Sequence, residues 1–122
     1  DSAIQDYVDC FNTIVGHYQD TNENSNYTSI IDIYVSEQSG DYSISGTLTV
    51  HRNNGTSNVY DLNLDLHSII EMYTGFYSFR YDNQFPINAG SGYYDCGRIM
   101  LLIGISGSGI PGFQAFSAEK IN

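Results

Sequence analysis

Residues 2–19 read SAIQDYVDCFNTIVGHYQ, and the period of this stretch decides the fold class. Ile4, Tyr7, Val8, Phe11, Ile14, Val15 and Tyr18 recur at three- and four-residue spacings. On a helical wheel they fall within about 60° on either side of Phe11, forming one apolar stripe. Ser2 stands where an N-cap is wanted, and Asp6 in the first turns favours the positive end of the helix dipole. The spacing therefore predicts an N-terminal amphipathic helix. Cys10 lies on the shoulder of its stripe, in reach of a sheet packed beneath.

Working outward, the polar run 19–26 reads as a loop, after which the period changes to two. Residues 28–36 and 41–51 alternate as strands, with Ile31, Ile33 and Val35 on one face of the first and Tyr42, Ile44, Gly46, Leu48 and Val50 on one face of the second. The turn RNNGTS at 52–57 leads to a strand that points Tyr60, Leu62, Leu64 and Leu66 inward. A two-residue Asn54-Gly55 loop would set Leu48 opposite Asp61 and bury a carboxylate among aliphatics. A three-residue loop, 53–55 or 54–56, instead sets Leu48 opposite Tyr60 or Leu62. The odd loop is the expectation.

Residues 67–73 are too short to assign, 75–82 form an aromatic strand, and 83–92 a long loop. The unbroken apolar run IMLLIGI within 93–105 reads as a central strand, and 113–121 as an edge-like last strand. The expected fold is α+β: one domain over 1–122, its helix packed on a curled antiparallel sheet of five to seven strands, with 28–36 and 113–121 as exposed edges.

Four Lys and Arg stand against 14 acids, a formal charge of −10. Four scattered cations cannot displace phosphate counterions along a nucleic acid, so that role is excluded, as is docking on anionic lipid. No window approaches the ~20 apolar residues of a transmembrane segment. The chain begins with Asp rather than Met and reads as a processed form. Its two cysteines, Cys10 and Cys96, pair as a staple between the first element and a late strand. Asn26-Tyr-Thr and Asn54-Gly-Thr are glycosylation sequons. Together these features predict an oxidising compartment, secreted or at the cell surface.

Gly107-Ser-Gly109-Ile-Pro-Gly112 spells the G-x-G-x-x-G of dinucleotide folds. That motif must open a helix and be followed about 20 residues later by an acid. Here only ten residues remain and they alternate like a strand, so the glycines form a turn. The same segment resembles, over about a dozen residues, the GGTGxF-type segment of dirigent and allene-oxide-cyclase barrels. Pro111-Gly112 departs from that pattern and the rest of the chain follows neither family, so nothing is carried over.

Asp61, Asn63 and Asp65 imitate the start of an EF-hand loop, but Leu66 replaces its glycine and Met72 its closing glutamate. They read as the solvent face of a strand. His17, His51 and His67 lack metal-ligand spacing, and no G-x-S-x-G is present. No cofactor, metal or catalytic residue is assigned, and nothing selects a carboxylate pair for glycosyl transfer among the acids.

The aromatics remain. Phe76, Tyr77, Phe79, Tyr81, Phe85, Tyr93 and Tyr94 crowd into one region, too many for one strand face, and all but Phe76 are the expected ligand or partner surface. Two functions are compatible with this inventory. One is an extracellular structural or adhesive subunit, self-associating into an oligomer or filament through sheet edges. The other is a carrier for an apolar small molecule or a glycan, with a pocket between helix and sheet bordered by Tyr77, Phe79, Tyr81 and Met100.

Overall fold

The computed structural model describes residues 10–71 and 76–121. Apolar–polar alternation produces eight strands: β1 (Gly16–Glu23), β2 (Tyr27–Gln38), β3 (Asp41–Arg52), β4 (Ser57–Glu71), β5 (Tyr77–Tyr81), β6 (Gly90–Asp95), β7 (Arg98–Gly104) and β8 (Phe113–Lys120). Each pairs antiparallel with the next, and β8 returns to β1, so the sheet is a closed barrel. The α+β expectation is thereby corrected to an all-β architecture.

The correction turns on residues 16–23. Tyr18 satisfies both a helical and a strand period, but its neighbours alternate. An eight-pair ladder from Gly16–Val35 to Glu23–Thr28 claims them for β1. As a helix they would leave the β2 backbone without partners on that side. Among the described residues a helical turn at Cys10–Phe11 precedes it, with Ile14 N–H donating to Phe11 C=O at 3.0 Å. The part of the predicted helix over residues 2–9 lies outside the described residues. Closure also gives both predicted edges a neighbour, since β2 lies between β1 and β3, and β8 between β7 and β1, the last ladder being two residue pairs long.

Inward residues of all eight strands fill the barrel. Tyr18, Ile31, Ile33, Ile44, Leu48, Leu64, Phe79, Tyr81, Tyr94, Ile99 and Phe116 are all at most 2% exposed. An eight-stranded barrel has an interior just wide enough for side chains to pack across it. The odd loop holds: Arg52 N–H bonds Thr56 C=O, leaving 53–55 as the loop, and Leu48 faces Tyr60. On β6 the inward positions 90 and 92 are glycine. A Cβ at 92 would stand 2.8 Å from Phe79 Cζ, and one at 90 would stand 2.7 Å from the Leu102 carbonyl oxygen and from Tyr81 Cζ. The glycines make room for rings from β5 to lie over the β6 backbone.

One end of the barrel is closed by residues 10–14. Phe11 packs 4.2 Å from the Tyr77 ring, Ile14 is buried, and Tyr18 Oη donates to Ile14 C=O at 2.6 Å. The expected Cys10–Cys96 disulfide is formed and pins this lid to the β6–β7 hairpin. There Cys96 and Gly97 both have positive φ, 37° and 83°, as a two-residue type I′ turn requires. The glycine-rich segment 107–112 lies in the β7–β8 connection at the opposite end. Gly107, Gly109 and Gly112 all take positive φ there, and Arg52 Nη2 bonds Ser108 C=O at 2.6 Å.

Candidate functional site

The interior is filled by side chains, and the barrel's outer wall carries the concave surfaces described below. Around Tyr93, Met100, Leu102 and Ala115 that wall is apolar. Tyr93 stands opposite Ser78 on one side and Met100 on the other, and Leu102 stands opposite Ala115. Phe76 tilts against Tyr93 with ring centroids 4.7 Å apart. A groove of about 470 Å³ lies here, its wall made by Phe76 and Tyr93 and its floor by Met100, Leu102 and Ala115, with Phe79, Leu101 and Phe116 beneath. That volume is within the range of small-molecule sites.

Arg80 and Ser91, paired across β5 and β6, stand at one end of this groove. They also line a polar cavity of about 350 Å³ with His67, Tyr81, Asp82, Ala89 and Gly90. His67 Nε2 and Asp82 Oδ1 are 3.1 Å apart. Apolar and polar compartments thus meet at Arg80.

The predicted aromatic surface divides. Phe79, Tyr81 and Tyr94 point into the barrel core, and Tyr77 packs on the lid. Burial pushes the Tyr81 hydroxyl up to about 12, and it donates to Leu102 C=O. Burial, with Tyr94 nearby, also raises the Tyr18 hydroxyl. Tyr94 Oη meets Thr13 Oγ1 at 2.6 Å and accepts Gly97 N–H at 2.7 Å. These are structural tyrosines. Phe85 is 88% exposed on the β5–β6 connection, away from the groove lining, and only Tyr93 of the six forms the groove wall. Of the expected cavity border, Met100 and Phe79 line the groove, whereas Tyr77 and Tyr81 do not.

Arg80, Ser91, Leu102 and Ala115 escaped the sequence reading, and Phe76 was seen in the aromatic cluster without being assigned to the surface. The signal was the unbroken IMLLIGI: in a barrel wall with nothing packed outside, a strand apolar on both faces leaves an apolar outer surface. Leu102 is accordingly 45% exposed.

A second polar cluster lies outside the groove, on β1 and β2. His17 Nε2 is 2.5 Å from Asp32 Oδ1, Gln19 Nε2 donates to Asp32 Oδ2 at 2.8 Å, and the Tyr34 ring stacks on His17 at 4.1 Å. Partial burial acts to raise the Asp32 carboxyl, but these hydrogen bonds outweigh it and hold it below its ordinary value. Asp61, Asn63 and Asp65 face solvent on β4, and among the described residues no three His, Cys, Asp or Glu converge as a metal site. Asn26 and Asn54 are exposed in the β1–β2 and β3–β4 turns, at the same end of the barrel.

No family model, curated protein or solved structure matches the chain. Among the described residues no helix is long and apolar enough to cross a membrane.

Proposed function

We propose that the chain is a non-catalytic binding module that works in an oxidising, extracellular setting and holds a small, largely apolar molecule in the lateral groove of β5–β8. The observation that carries this reading is the groove itself. A concave apolar surface with an aromatic wall sits on the outside of a barrel whose core is already filled, so core packing does not account for it. The intramolecular disulfide supports the compartment. Binding is favoured over catalysis because the His17–Asp32 pair, the closer of the two histidine–carboxylate contacts among the described residues, lies outside the groove.

The pocket moves accordingly, from between helix and sheet to the barrel wall. The structural or adhesive subunit remains the competing reading. With 28–36 paired on both sides and 113–121 joined to β1 by two residue pairs and bridging side chains, it would have to use the same apolar face or the β1–β8 seam instead of a free strand edge.

Titration of the ¹⁵N-labelled chain with naphthalen-2-ylmethanol, followed by amide shifts, tests the proposal. Shifts centred on Tyr93, Met100 and Leu102, with the protein monomeric by sedimentation, are expected. Unchanged spectra at millimolar probe, together with a dimer or larger assembly, would transfer the face to the assembly reading.

A further inference from the structure

Three of the four Lys and Arg side chains are committed to bonds within the fold. Arg52 donates to Asn58 Oδ1 at 2.7 Å and to Ser108 C=O, Arg98 donates to Ser117 Oγ at 2.7 Å and pairs with Glu119, and Lys120 donates to Thr13 C=O at 2.6 Å. The Arg80 guanidinium has no hydrogen-bond or ion-pair partner among the described residues. In a chain of formal charge −10, where acids far outnumber cations, an unpaired guanidinium is out of keeping with its surroundings. Its location is equally specific, at the junction of the apolar groove and the polar cavity.

Resting on the groove-binding reading, we infer that the ligand is an anionic amphiphile. Its apolar body lies on Tyr93, Met100 and Leu102, and its carboxylate is held at the junction by Arg80. A guanidinium presents two parallel N–H donors that match a carboxylate, and beside an apolar floor its charge is less screened than in open water. Ser91, directly across from Arg80, supplies a hydroxyl at the same point. Among the described residues the one carboxylate lining the polar cavity is Asp82, which would repel an anion. It is paired with His67, the cross-strand neighbour of Arg80 on β4, which draws that charge toward the imidazole.

The test compares two probes of one shape, 2-naphthoate and naphthalen-2-ylmethanol, on the wild-type chain and on Arg80→Gln, by amide shifts at low ionic strength. The chain's net charge works against any anion, so a preference for naphthoate needs a local cation. Naphthoate is expected to bind wild type about tenfold tighter than the alcohol, to lose that margin in Arg80→Gln, and to weaken with added salt, while the alcohol responds to neither change. Unchanged alcohol binding also shows that the variant is folded. Equal affinity of the two probes for wild type would overturn the anionic assignment and leave the groove reading standing. Binding of neither probe would remove both.

Discussion

The Asp20 carboxylate accepts the backbone N–H of Ser117 at 2.8 Å, across the seam where β1 and β8 stop pairing. The backbone ladder there is confined to Tyr18–Lys120 and Gln19–Glu119. Beyond it, side chains stand in for the ladder: Asn22 Nδ2 donates to Ala115 C=O at 3.1 Å, and Ser29 Oγ donates to Gln114 Oε1 at 2.6 Å. A charge directed inward at such an opening also deters pairing with a foreign strand.

Asp20→Ala leaves the Ser117 N–H without its acceptor and uncovers the strand backbone. The variant is expected to lose about 1–3 kcal/mol in urea unfolding. It should also show concentration-dependent dimers in sedimentation velocity where wild type shows none. A variant of unchanged stability and mass would mean that the seam needs no such cover.

Replacing both Cys10 and Cys96 by Ser removes a cross-link spanning a sequence separation of 86. Chain entropy puts the loss at about 4–5 kcal/mol. Hydrogen exchange should rise first at the Thr13 and Ile14 amides, whose bonds to Cys10 and Phe11 belong to the lid. Uniform loss of protection throughout the barrel would contradict a local lid.

Gly92→Ala places a methyl group against the Phe79 ring and the Met100 carbonyl. Neither can yield easily, one being packed in the core and the other part of the β6–β7 ladder. A lowered melting temperature, equivalent to about 1–3 kcal/mol or more, is the expected result. A neutral substitution would show that β6 shifts freely.

The Asp32 carboxyl is held below its unfolded value of about 3.9. A depressed acid stabilises the fold fully above the unfolded value, and that contribution fades as pH falls through the folded one. The stability difference between wild type and Asp32→Asn should therefore be constant from pH 5 to 7 and shrink below about pH 4. Being 39% exposed, the carboxylate contributes no more than about 1 kcal/mol. A difference that persisted at pH 2 would point to shape rather than charge.

Strands β2 and β3 and the parity of their following hairpin were legible because alternation and turn length constrain each other: only an odd loop keeps Leu48 away from Asp61. β1 was not legible. Tyr18 serves either period, and the inward Asp20 and Asn22 look like loop residues until the seam they bridge is known. Closure itself leaves no local trace, since it joins Tyr18 to Lys120 through two residue pairs. The aromatics were visible as a cluster, but sorting Tyr93 outward from Tyr94 inward requires register, as does finding Arg80 opposite Ser91. The lone cation at the groove is invisible to composition, which counts Arg80 like its three committed counterparts.

Nearest-neighbour connectivity fixes the order in which the barrel assembles. Seven of its ladders join strands adjacent in sequence and grow from hairpins, while the eighth must wait for the two ends of the chain to meet. The expected folding is then a zipper with a late closure, in which Asp20 acts after the rate-limiting barrier. Its replacement should accelerate unfolding while leaving the folding limb of the chevron in place, so the seam sets how long the barrel stays shut rather than how fast it forms.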